Sequence, residues 1–323
     1  AGQLLGLSRG FMHSRAFLTA IELGLFRALG DEGLSAEQLA ERIEADPRAT
    51  DILCNALAAM NLLEKHGETF RNVAGLPLGS KDGRADLAFR HAVQVWEQWS
   101  ELTNVVKSGR PAAPDAPPSS EWDRVSALAM RQYAAHTARA LAEVLDLSAA
   151  RTLLDLGGGT GACAMALAER YPRLRAVLFD DNEEALALAR QESETRDLGE
   201  RVAVMHGDFM KDDLGGPYDA VLLSSIVCLL GEEENRRLLA RVHDALNDGG
   251  RVVIRDALVN PDRTTPPRAA IFSLHMLVNT AAGRSYSHRE VSDWLEAAGY
   301  ERIRRYPLDE AFVIEGTKPP ASS

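Results

Sequence analysis

The chain has 323 residues, of which 46% are apolar, and a formal net charge of -11. That length accommodates two domains and a sizeable core, while the acidic balance argues against a nucleic-acid or anionic-membrane partner, which would ask for a basic face. Cys54, Cys163 and Cys228 are scattered without a Cys-x-x-Cys pair, and no apolar run or leader pattern marks a membrane span or export, so reduced thiols and a cytoplasmic address are expected.

Residues 1–108 read as a helical domain. Over residues 11–29, Phe17, Ile21 and Leu25 recur at helical spacing, with Leu18 and Leu29 alongside and Gly30 and Gly33 as the stop. Ser35 then caps a helix that carries Glu37 and Gln38 in its first turn. Asp46-Pro47 opens another, and residues 64–73 form a hairpin turning at His66-Gly67. Helices followed by a small hairpin make a winged-helix plan. Its third helix has Arg48 near its start and no basic stripe, so packing or dimerisation is expected rather than DNA binding.

Residues 108–120, SGRPAAPDAPPSS, read as an extended surface connection. They open a linking region, 109–150, in which residues 121–147 form one or two helices with Ala127, Met130, Ala134 and Leu141 on one face. From residue 151 to 323 short apolar runs alternate with helical patterns: RTLLDLG, RAVLFD, RVAVMHGD, YDAVLLSS and RVVIRDALV are the runs. This is the pattern of a doubly wound, Rossmann-like α/β sheet. Two further strands at the end would form a closing hairpin.

The strongest motif is Asp155-Leu156-Gly157-Gly158-Gly159-Thr160-Gly161, after a strand and before a helix over 162–170. Such glycines permit a sharp turn and close approach of a ligand to the backbone. A nicotinamide dinucleotide site would share this physics. The GGGTG spacing departs from its GxGxxG pattern, and Asp155 is placed to receive an ammonium group, which that cofactor lacks. At the second strand end Asp180 or Asp181 would accept ribose hydroxyls. At the third, Asp208 and Phe209 would meet an adenine amine and ring. Each piece alone also occurs as a plain turn or helix cap. Together, at successive strand ends, they describe one nucleoside site.

The chain resembles the bacterial and plant S-adenosylmethionine (SAM)-dependent O-methyltransferases that carry an N-terminal dimerisation domain. The resemblance spans AIELGLF, WEQWSELTNVVKSGRPA, DLGGGTG, GDFM, LNDGGRVVIRDAL and FSLHMLVNTAAGRSYSHREVSDWLEAAGY, and so nearly the whole chain. It implies a class I methyltransferase sheet behind a winged-helix domain, a homodimer, and transfer of a methyl from SAM to a small molecule. Asp155, Gly157, Gly158 and Gly159 would then hold the methionine part, Asp180 the ribose, and Asp208 and Phe209 the adenine. Ser224 stands where the family often has a lysine.

One departure matters chemically. Where the family has a catalytic histidine in a His-Asp-Trp motif, this chain reads Cys228-Leu229-Leu230. Three accounts compete. The base has moved, with His275, Tyr133 or His136 as candidates; a histidine near the first of these positions occurs in the related bacteriochlorophyllide methyltransferases. Alternatively the nucleophile needs no deprotonation, as for the thioether in the related methylthio-hydroxybutyrate S-methyltransferases. Finally, the chain binds SAM without catalysis, or serves as a winged-helix regulator. Cys228 itself reads as an apolar filler. No His/Asp/Glu cluster has metal-ligand spacing, so a metal-independent reaction is expected.

Overall fold

The computed structural model describes residues 2–76, 78, 87–112, 120–308 and 311–321. The chain divides into two compact units, Ala1–Glu97 and Gln98–Ser323. Most of the proline-rich connection lies outside the described residues.

The first unit contains α1 (Gly2–Arg9), α2 (Phe11–Glu22), α3 (Leu25–Leu29), β1 (Leu34–Ser35), α4 (Ala36–Arg42), α5 (Pro47–Ala59), β2 (Leu63–His66), β3 (Thr69–Asn72) and most of α6 (Leu87–Ser100). The expected single helix over 11–29 is two helices. Gly24 adopts φ +64°, the left-handed region that favours glycine, and the chain turns there. Ser35 caps α4 as a capping box with Gln38, and the Asp46 side chain accepts from Ala49 N–H at 2.8 Å to start α5. The hairpin forms with β1 added at its edge, in the antiparallel order β1-β3-β2. Leu25, Phe26, Leu29, Leu39, Leu57 and Phe70 make the buried centre.

The second unit continues with α7 (Leu102–Ser108), α8 (Ser120–Val144), β4 (Thr152–Leu156), α9 (Ala162–Arg170), β5 (Arg175–Asp180), α10 (Glu183–Thr195), β6 (Val202–His206) and β7 (Tyr218–Ser224). A 3-10 turn over Val227–Leu229 leads to α11 (Glu232–Asp244) and β8 (Leu246–Asp256). After these come α12 (Pro267–Asn279), α13 (His288–Ala297), β9 (Glu301–Leu308) and β10 (Ala311–Thr317). The sheet order is β6-β5-β4-β7-β8-β10-β9, with β10 running antiparallel between β8 and β9. The other neighbours are parallel, and the reversal of strand order between β4 and β7 is the switch point where such sheets bind ligands.

Both faces of this sheet are covered. On one, α8 and α9 bury Leu141, Ala164 and Leu167 against Leu153, Leu178, Leu222 and Val253. On the other, Trp294 and Tyr286 meet edge to face at 4.7 Å and pack with Val221, Leu223, Val252 and Ile254. The one or two helices expected over 121–147 are one, α8, whose buried residues include Ala127, Ala129, Ala138 and Leu141. Met130, expected on that face, is 43% exposed. Small alanines let α8 lie close to α9; Met130 shares the stripe of Leu141 but lies about three turns nearer the start of the helix and is left exposed to solvent.

Candidate active site

The glycine corner sits where β4 ends and α9 begins. Gly157, Gly159 and Gly161 all have positive φ, so the turn needs glycine for its backbone alone. Gly157 N–H donates to Phe179 O at 2.7 Å, and Gly161 N–H to Gly158 O at 2.9 Å, closing the loop onto β5. Space is equally restricted. A methyl at Gly158 would lie 2.3 Å from Leu178 Cδ1 and 2.6 Å from Asp155 Cγ. One at Gly157 would meet Ile226 at 2.3 Å and Phe209 at 3.6 Å.

Asp155 is wholly buried beneath this corner. Its Oδ2 accepts Ala164 N–H at 3.0 Å, from the first turn of α9, while its Oδ1 is buried with no partner. Burial pushes its carboxyl up to about 7, helped by the nearby Asp180 charge and opposed by the Ala164 hydrogen bond. An orphaned acceptor beside a glycine cradle fits a ligand that brings a cation.

Asp180 ends β5. Its Oδ2 accepts Gly159 N–H at 2.8 Å and its Oδ1 accepts Asn182 N–H at 2.9 Å, so it ties the second strand end to the glycine corner. Burial raises its carboxyl above the usual range, against those two bonds. The Asp181 side chain is exposed, and its backbone and charge act on Asp180. At the third strand end Asp208 is ion-paired to Lys211 at 2.7 Å and accepts Met210 N–H at 2.8 Å, and Lys211 holds it below the usual range. Phe209 is partly buried beside Gly157. Ser224, at the end of β7, has its Oγ 4.0 Å from Cys163 Sγ. The structure therefore brings Asp155, Gly157, Gly158, Gly159, Asp180, Phe209 and Ser224 to the carboxyl ends of neighbouring strands.

Cys228 lies in the 3-10 turn, 2% exposed. Its N–H donates to Asp256 Oδ2 at 3.0 Å, and burial first, then the Asp256 carboxylate, push its thiol well above the ordinary range. It stays a protonated thiol at neutral pH. Gly283 packs against this turn so closely that a Cβ would lie 2.3 Å from Cys228 O.

His275 sits on α12, which rests on the same turn. Its Nδ1 accepts Trp99 Nε1–H at 3.1 Å and faces Asn279 Nδ2 at 3.1 Å, with the indole stacked at 6.4 Å and Phe272 at 5.7 Å. An indole nitrogen only donates, so Nδ1 is bare and the ring proton belongs on Nε2. Burial lowers the pKa of His275, which favours this neutral form. Tyr133 is 52% exposed and His136 is exposed, both off the face of α8 that buries Ala138 and Leu141. Partial burial raises the Tyr133 phenol.

Sequence reading did not find Trp99 or Asn279. Asn279 is one helical turn from His275, a readable signal, whereas Trp99 is 176 residues away. Arg255 was also missed, although a cation inside the apolar run RVVIRDALV is conspicuous.

Taken together, this strand order and this corner define a Rossmann-like methyltransferase domain that follows a helical one along the chain. The O-methyltransferase domain model matches residues 99–301, and the O-methyltransferase dimerisation domain model matches residues 5–74. The chain belongs to this O-methyltransferase family and is a SAM-dependent methyltransferase. It is 33% identical to the 3-hydroxy-5-methyl-1-naphthoate 3-O-methyltransferase of Streptomyces sahachiroi, over 93% of this chain and 90% of the relative. It is 32% identical to the N,N-dimethyltransferase OxyT of Streptomyces rimosus, over 94% and 92%. Among solved structures, PigF with SAH superposes with a TM-score of 0.89 at 25% identity, covering 98% of this chain and 99% of that one. No described helix is long and apolar enough to cross a membrane.

Proposed function

We propose that this enzyme methylates a small molecule whose nucleophilic atom offers its lone pair without help from a protein base. The carrying observation is the pair of neighbouring groups just described. Cys228 is a buried, protonated thiol. His275 has its one free lone pair, on Nδ1, already engaged by Trp99 and Asn279. A thioether sulfur, a neutral amine, or a phenol acidic enough to arrive ionised would satisfy this site. The relatives named above act on oxygen and on nitrogen by their names.

In this reading SAM supplies the methyl on an already cationic sulfur, so no metal is required. Asp155 accepts the ammonium at its orphaned Oδ1, and Gly157, Gly158 and Gly159 let the backbone approach the methionine part. Asp180, with Asp181 beyond it, faces the ribose hydroxyls; Asp208 and Phe209 surround the adenine, and Ser224 lies toward the amino-acid end. His275 donates through Nε2–H and orients the acceptor. Tyr133 and His136 stay as base candidates for an acceptor that does require proton removal. The chain acts as a homodimer: α1 buries none of its own residues and exposes Leu4, Leu5 and Leu7, while α2 exposes Phe11 and Met12.

The test is the pH dependence of turnover. With a thioether or neutral amine acceptor the rate is expected to stay flat across the neutral range. His275→Gln should slow it about tenfold without changing that shape, because a positioning bond is lost and no ionisation is. Tyr133→Phe and His136→Gln should each stay within about twofold of the parent. A limb that rises with one ionisation and disappears in one of these three variants would identify that residue as the base and sink the proposal.

A further inference from the structure

We propose that Arg255 and Asp155 form a two-sided clamp for the amino-acid end of SAM, with Arg255 taking the α-carboxylate and Asp155 the ammonium. The clamp rests on the reading that the glycine corner holds SAM.

Strand register places the two residues. β4, β7 and β8 are parallel neighbours; Asp155 aligns with Leu222, and Leu222 with Val253. Two residues on, Ser224 aligns with Arg255. Side chains two apart share a sheet face. Asp155, Ser224 and Arg255 therefore point to the face covered by α8 and α9, with the outer columns about 10 Å apart. Cys163 of α9 lies between them. Its Sγ is 4.0 Å from Ser224 Oγ, and its thiol feels both the Asp155 carboxylate and the Arg255 guanidinium.

Each flank carries an orphan of complementary kind. Asp155 Oδ1 is a buried acceptor without a donor, and Arg255 Nε is a buried donor without an acceptor. The other guanidinium nitrogens donate to Ser225 Oγ at 2.9 Å and Thr137 Oγ1 at 3.3 Å. Both partners are neutral hydroxyls; the neighbouring Asp256 acts on the cation through space but forms no ion pair with it, so among the described residues no carboxylate closes the guanidinium fork. A sheltered guanidinium in that state favours an arriving carboxylate. Ser225 holds its hydroxyl there from φ +60°, an unusual backbone for serine and the kind of strain that gathers at ligand sites. An α-amino acid group offers the matching pair, one cation and one anion on the same carbon. The acceptor is the weaker assignment for Arg255. The 3-10 turn under α12 packs into the cluster on the opposite sheet face, through Val227.

Calorimetry on the full chain tests this with two ligands: SAH, and its decarboxylated analogue 5′-S-(3-aminopropyl)-5′-thioadenosine. The parent should bind SAH at least about tenfold tighter than the analogue. Arg255→Gln should weaken SAH at least about tenfold and leave the analogue unchanged, which also shows that the variant is folded. Arg255→Lys, which keeps the charge and loses the fork, should fall between, and it serves if the glutamine variant fails to fold. Equal losses for both ligands, or no loss for SAH, overturn the clamp. Unchanged SAH affinity with a raised KM for an anionic acceptor does so too, and hands Arg255 to the acceptor. A parent that binds SAH and the analogue equally overturns the clamp alone. A parent that binds neither overturns the SAM reading with it.

Discussion

Replacing Asp155 by Asn is expected to weaken SAH binding about 100-fold or more while leaving the ligand-free protein at least as stable at pH 8. The asparagine oxygen can still accept Ala164 N–H, so the α9 start is kept. Its NH2 group would then occupy the side where Oδ1 now waits, and would present donors to an ammonium. The stability half follows from linkage. The folded carboxyl is raised to about 7, so its stabilising contribution is complete at acid pH and is lost as pH climbs through about 7. At pH 8 the ionised Asp155 thus costs the ligand-free fold up to about 4 kcal/mol, which the neutral amide removes. An arriving ammonium favours the ionised form. SAH binding at pH 7 should therefore release about half a proton per site, and affinity should decline as pH falls below that point. Calorimetry in buffers of different ionisation heat measures the proton; thermal unfolding at pH 8 measures the stability. Intact SAH affinity in the variant would remove Asp155 from the site.

Gly158→Ala is expected to damage fold and site together. The added methyl would fall 2.3 Å from Leu178 Cδ1 and 2.6 Å from Asp155 Cγ, and both side chains are fully buried. Leu178 is hemmed in by the sheet and α9, and Asp155 is fixed by Ala164. Neither can step aside without disturbing the strand ends, an overpacking cost of about 1–3 kcal/mol. The melting temperature should drop by roughly 3–10 °C. SAH binding should fall by more than about tenfold, because the methyl forces the carboxylate off its line. Gly159→Ala is the contrast: nothing lies within 4 Å of its methyl, and only the positive φ of +56° penalises it. A Gly158→Ala protein with parental melting and SAH affinity would contradict this account of the corner.

The sheet was readable because its strands are short apolar runs that end in acids or glycine. Asp155, Asp180 and Asp208 are each the polar residue where an apolar run stops, and backbone topology then gathers those stops at one edge. Asp180 and Asp181 could not be separated in sequence, since both follow Phe179; burial and the hydrogen bond from Gly159 distinguish them. The helix over 11–29 misled because its apolar spacing continues through Gly24, whose backbone turn leaves no periodic trace. The setting of His275 was partly visible. Asn279 lies four residues away on the same helix, but Trp99 reaches the ring only through tertiary packing, and it is Trp99 that fixes which nitrogen carries the proton. Arg255 was overlooked because a cation within a strand reads as an outward-facing exception, and its inward direction is set by strand register.

The packing of Cys163 has a practical consequence. All three cysteines are buried, and this one lies at 6% exposure in the first turn of α9, with its thiol pushed up to about 12. An alkylating reagent can reach it only when the strand ends part, so its labelling rate is a clock for local opening. A ligand that settles over the same turn slows that clock in proportion to its occupancy. The native thiol thus gives an untagged readout of ligation, one that works with any acceptor or with none.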